Sequence, residues 1–72
     1  MLRVLLMTRV ELLALKPGDR VRYIPIPAMV ATVVQVAPQW VRIRYDESCA
    51  KWISGCLDSA ILAHEANQWR KV

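Results

Sequence analysis

No apolar run in this sequence approaches the roughly 18 to 20 residues needed to cross a bilayer, because Arg3, Arg9, Glu11 and Lys16 interrupt the N-terminal apolar stretch. The segment MLRVLLM has the arginine and apolar core of a very short secretory signal, but the run is too brief and no small-residue cleavage site follows. No membrane contact is expected, and the expected compartment is the cytoplasm. Cysteine is scarce, with only Cys49 and Cys56 present, whereas a secreted domain of this size usually carries more. A disulfide between them is open, but free thiols packed as small apolar residues are the expectation. Histidine is scarcer still. His64 stands alone, so with the two cysteines the chain offers three zinc ligands at long spacing and no source for a fourth. A cysteine nucleophile with His64 as base lacks an orienting third group and an oxyanion device. Of the acids, Asp46 and Glu47 are neighbours in a polar turn and Asp58 stands apart, which is a poor basis for acid–base chemistry. No metal, no cofactor and no catalytic residue is expected, and the chain reads as a non-enzyme.

What is present is short, apolar and mildly basic. A chain of 72 residues is one domain with little room for a large catalytic cleft. Apolar residues make up 56% of it, above the usual share for a soluble domain. A second copy of the chain or a protein partner would cover that excess. Ten Lys plus Arg against six Asp plus Glu give a formal net charge of +4, a tilt towards anionic partners that is mild for a committed nucleic-acid binder.

Thr8-Arg9-Val10-Glu11 is a capping-box pattern ahead of Leu12, Leu13 and Leu15, and it predicts a helix of about two turns that Pro17-Gly18 stops. Met7 sits just before the cap. Residues 1 to 6 are therefore an extra strand, a dimer contact or a misassigned start. From Asp19 onward the period is two. Val21 and Tyr23 alternate with Arg20 and Arg22; Val30, Thr32, Val34 and Val36 with Ala31, Val33 and Gln35; Val41, Ile43 and Tyr45 with Trp40, Arg42 and Arg44. Three strands follow from this, with Pro25-Ile26-Pro27-Ala28 preventing ladder pairing between the first two. Lys51-Trp52-Ile53-Ser54 reads as a fourth strand ended by Gly55. Leu57-Asp58-Ser59-Ala60 reads as one tight helical turn and Ile61-Leu62-Ala63 as a closing strand, a C-terminal helix from Ser59 to Trp69 being the alternative. Five short strands with tight connections predict an all-β fold, a small five-stranded barrel that removes its own edges, with a short N-terminal helix.

The order of these features resembles the SH3-like barrel group, in particular its Tudor-like and KOW-like members. The resemblance is carried by "KPGDRVRY", the hairpin "ATVVQVAPQWVRIRYD", the strand "KWI" and the turn and closing strand "CLDSAIL", roughly residues 16 to 63. It divides the chain into an N-terminal extension with a short helix (1–15), an SH3-like barrel (16–63) and a loose C-terminal tail (64–72). It implies a binding module for proteins, methylated side chains or nucleic acids. A Tudor-like methyl-lysine reader boxes a cation with aromatic faces. Here Tyr23, Trp40, Tyr45 and Trp52 are the candidates, the first loop offers only Ile24 to Met29, and both tyrosines fall on the inward parity, so core packing is expected of them. "GDRVR" is also similar to the first strand of the plasmid-borne dihydrofolate reductases, SH3-like tetramers with a central pore, and the similarity ends with those five residues.

Two function classes remain. In an SH3-like meander Arg20 and Arg22 on the first strand lie roughly 9 to 10 Å from Arg42 and Arg44 on the third. Ala31, Val33 and Gln35 would form a shallow floor between them. Four guanidiniums so placed suit phosphates or a carboxylate-rich segment, with Trp40 as a stacking face; equally, alternating charge is what the wet face of a half-buried sheet requires. The leading expectation is a non-catalytic module that binds a protein partner or its own copy through Ile24, Ile26, Met29, Trp40 and Trp52. Nucleic-acid or anionic-partner contact through Arg20, Arg22, Arg42, Arg44 and Trp40 is the alternative.

Overall fold

A computed structural model describes residues 7–53 and 56–72. The three readings of residues 1 to 6, and the predicted strand end at Ser54 and Gly55, lie outside the described residues.

The capping box forms. Glu11 N–H donates to Thr8 Oγ1 at 3.2 Å and Thr8 N–H donates to Glu11 Oε1 at 3.1 Å, so α1 (Arg9–Leu13) starts where the sequence predicts. The helix is brief. Lys16 N–H donates to Asp19 Oδ2 at 2.9 Å, and Gly18 takes φ +96°, a left-handed turn that a side chain would strain.

Five antiparallel strands follow: β1 (Arg20–Tyr23), β2 (Val30–Val36), β3 (Trp40–Tyr45), β4 (Asp58–Leu62) and β5 (Trp69–Lys71). They form one curled half-barrel sheet in the order β4-β3-β2-β1-β5. A 3-10 helix spans Glu47–Trp52 between β3 and β4, and a second spans Ala63–Gln68 between β4 and β5. Val21, Ala31, Val33, Val41, Ile43, Ile61 and Trp69 point into the curl, and Leu12 of α1, Met7 and Leu15 on either side of it, and Ala66 of the second 3-10 helix close over them. All-β is therefore the class. Closure is different: among the described residues β4 and β5 each pair on one side only, so the sheet keeps two edges where the sequence predicts none.

The second half of the chain departs from the predicted boundaries. Lys51 and Trp52 belong to the first 3-10 helix instead of a strand. Cys49 is the residue this segment buries, its N–H donating to Asp46 O at 2.9 Å and its Sγ lying 3.8 Å from the Ala28 and Val30 carbonyl oxygens. Of the predicted helical turn from Leu57 to Ala60, Asp58 to Ala60 are strand, and with Ile61 and Leu62, which the sequence predicts as strand, they form β4, whose register against β3 runs from Trp40↔Leu62 to Arg44↔Asp58. Pairing with β3 overrides the weak local preference there. The segment read as a loose tail, or as a helix, provides a 3-10 turn and β5, which pairs with β1 through Tyr23↔Trp69, Arg22↔Arg70 and Val21↔Lys71.

Candidate functional site

β2 decides what the arginines frame. Ala31 and Val33 are buried in the core, which places Thr32 and Val34 on the outer face and removes Ala31 and Val33 from the predicted floor, while Gln35 stays exposed. A bulge between Val33 and Gln35 then shifts the register, so that Gln35 opposes Arg42 and Val36 packs against the core. With one extra residue, inward parity is odd before the bulge and even after it.

A cross-strand row runs Arg20, Thr32, Arg44, Asp58. Arg20 Nη1 donates to Thr32 Oγ1 and to Asp46 Oδ1, both at 3.0 Å, and Nη2 donates to Asp46 Oδ2 at 2.7 Å. This fork holds the Arg20 pKa above its ordinary value, chiefly through the hydrogen bonds that the guanidinium donates to Asp46. Arg44 Nη1 donates to Asp58 Oδ1 at 3.2 Å. Two of the four guanidiniums are therefore matched by carboxylates. Arg22 and Arg42 form no ion pair among the described residues, and they lie in different places. The four arginines differ in setting: Arg20 and Arg44 are ion-paired, while Arg42 and Arg22 line separate hollows.

Arg42 lines a groove of about 500 Å³ on the outer face of β3 and β4, with Trp40, Asp58, Ser59, Ala60 and Leu62. The geometry follows from register. Trp40 faces Leu62 across the two strands and Arg42 faces Ala60, whose methyl is the low point between an apolar end and a charged end. Leu62 is 45% exposed, a large apolar side chain held in water. The same Trp40 and Leu62 border a second hollow of about 300 Å³ with Arg9, Gln39, Ala63 and His64. At the other side of the sheet, Arg22 and Arg70 line a hollow of about 280 Å³ with Ile24 and Pro27.

The predicted partner-contact residues divide. Ile26 and Trp52 are exposed, Ile24 and Trp40 are half-buried, and Met29 is 6% exposed and faces inward. Met29 is thus a correction: its N–H donates to Ile26 O at 2.9 Å, a turn that folds the side chain under the loop while Tyr23 N–H donates to Met29 O at 2.9 Å. Lys51 Nζ sits 4.6 Å from the centre of the Trp52 ring. Tyr23 and Tyr45 pack against the core around Trp69, with ring centroids 5.1 and 6.1 Å from it. Burial pushes the Tyr45 phenol above its ordinary pKa.

Cys49 is buried and Cys56 exposed, and both thiols are free. Among the described residues no three His, Cys, Asp or Glu side chains gather as a metal site, and no helix is long and apolar enough to cross a membrane. Sequence reasoning did not join Asp58, Ala60 and Leu62 on one outer strand face because it read Leu57 to Ala60 as a helical turn and began the closing strand only at Ile61, and it left Arg70 in a loose tail. Their signal is the out-facing alternation Asp58, Ala60, Leu62, which has Ile61 as its single buried inward residue. Compared with protein-family models, curated proteins and solved structures, the chain matches none.

Proposed function

We propose that this chain is a small non-catalytic interaction module of SH3-like architecture that binds an extended segment of a protein partner in the groove between β3 and β4. The architecture is supported by the order of elements, in which β1 to β4 form a meander and a 3-10 helix leads into a short β5 returning beside β1. The reading rests on one observation above the others, the in-register pair Trp40 and Leu62 presented beside Arg42, which forms no ion pair among the described residues, with Ala60 as a low floor. Such a trough takes an apolar side chain at one end and a carboxylate at the other. Among the described residues β4 is also a sheet edge, and its backbone groups other than Leu62 N–H, which donates to Glu65 Oε1, and Asp58 O, which accepts from Cys56 Sγ, can extend the sheet with a partner strand.

The test is selection of peptides from a random library on the full chain, followed by titration of the enriched sequences against the wild type, Trp40→Ala and Arg42→Gln. Enriched peptides that carry an acid near an apolar anchor, and lose about tenfold in affinity with Trp40→Ala, support the groove. Peptides that bind Trp40→Ala as well as the wild type refute it. Sedimentation across a concentration range separates an external partner from a second copy of the chain.

Nucleic acid is the second reading, favoured by the placement of Arg42 and the Trp40 ring in one groove, which suits a phosphate beside a stacked base. The carboxylates on Arg20 and Arg44 weigh against it. It predicts oligonucleotide binding that weakens steeply with salt and is lost in Arg42→Gln, whereas apolar peptide contact is nearly salt-independent.

A further inference from the structure

Arg22 and Arg70 stand directly opposite each other on β1 and β5. Like charges facing each other across adjacent strands destabilise the pair. Three other cations of the sheet are answered by acids: Arg20 by Asp46, Arg44 by Asp58, and Lys71 by Asp19 at 3.7 Å. Neither Arg22 nor Arg70 forms an ion pair among the described residues, and Arg22 Nε is buried with no hydrogen-bond partner. A buried donor on a charged group is unfavourable without an acceptor nearby. Arg22 and Arg70 both line the hollow of about 280 Å³ whose other lining residues, Ile24 and Pro27, are apolar.

We infer that this hollow binds a phosphate monoester, its oxygens held between Arg22 and Arg70 and its organic substituent resting on Ile24 and Pro27. Charge selects phosphate over carboxylate. A phosphate monoester carries about −1.5 to −2 at neutral pH and matches two guanidiniums, whereas one carboxylate leaves a positive charge unanswered. Its three acceptor oxygens also suit two planar donor forks approaching from adjacent strands. The site is separate from the groove on β3 and β4, so it stands or falls independently of what that groove binds.

The experiment is a proton–nitrogen correlation titration of the full-length chain observed at the arginine Nε–H groups, where burial protects Arg22 Nε–H from exchange with solvent. The probes are phenyl phosphate, inorganic phosphate, a phosphoserine peptide and benzoate. Phenyl phosphate is expected to shift the Arg22 signal to saturation, with benzoate about tenfold weaker and Arg70→Gln weakening phenyl phosphate about tenfold. Inorganic phosphate should bind more weakly than phenyl phosphate because it leaves the apolar wall uncovered. A phosphoserine peptide that outbinds phenyl phosphate identifies the source as a modified side chain, and the reverse order identifies a free small molecule. Arg22→Lys, which keeps the charge and removes the fork, should weaken binding, while Trp40→Ala should not. An unmoved Arg22 signal, benzoate binding as tightly as phenyl phosphate, or full affinity in the exposed Arg70→Gln variant overturns the inference.

Discussion

Replacing Trp69 by Ala tests whether the end of the chain is structural. The indole is 5% exposed, sits in the core cluster and contacts both Tyr23 and Tyr45. A buried aromatic removes about 150–250 Å² from water, which at about 25 cal/mol per Å² gives an upper bound of about 4–6 kcal/mol. Measured Trp and Phe truncations in cores cost about 3–5 kcal/mol. A domain of 72 residues has about 4–11 kcal/mol of stability in total, at about 0.05–0.15 kcal/mol per residue. The substitution therefore removes a large share of the stability or all of it. Urea unfolding followed by far-ultraviolet circular dichroism measures the loss. Trp52→Ala, in which the truncated indole is 44% exposed, is the comparison and should lose about 1 kcal/mol or less. If Trp69→Ala also loses less than about 1 kcal/mol, the placement of Trp69 in the core is wrong.

Thr8→Ala breaks the capping box and should cost about 1 kcal/mol, seen as a fall of about 4–8 °C in Tm by calorimetry. The Arg20–Asp46 pair is bidentate yet partly exposed, with side chains 45% and 35% accessible, so a double-mutant cycle should give a coupling of about 0.2–1 kcal/mol that shrinks with added salt. The raised pKa of Tyr45 means that the folded state keeps the phenol proton after the unfolded chain has lost it. Above about pH 10 the native state then binds more protons than the unfolded state, and stability falls as pH rises. Tyr45→Phe should lose less stability than the wild type between pH 8 and pH 10.5 in urea titrations, and equal losses would count against the burial of that hydroxyl.

Where local pattern and tertiary partner agree, the sequence was legible. Val21, Val41 and Ile43 alternate with arginines so cleanly that β1 and β3 have one available orientation. Thr8 and Glu11 announce α1 by a local hydrogen-bonding pair. β2 resisted because Val30 to Val36 offers apolar or small side chains on both faces, and the bulge after Val33 lets each parity be correct over part of the strand. β5 was illegible for another reason: three residues with one inward side chain show no period, and its partner β1 is far away in sequence. The candidate site inherited these errors. Arg42 and Trp40 were visible, but Ala60 and Leu62 become their neighbours only once β4 is in register.

The β1–β5 pairing also bears on how long the fold lasts. β2 and β3 are joined by a three-residue turn in which Ala37 N–H donates to Trp40 O at 2.9 Å, so they can meet early. β5 reaches β1 only by closing a loop that contains nearly the whole sheet, and Met7 N–H then donates to Trp69 O at 3.2 Å to fasten the two ends of the described chain. Contacts of that range are expected to form after the main barrier. Weakening β5 should then leave the folding arm of a chevron nearly unchanged and steepen the loss on the unfolding arm. The last strand is a latch, which sets the lifetime of the native state more than the speed of its formation.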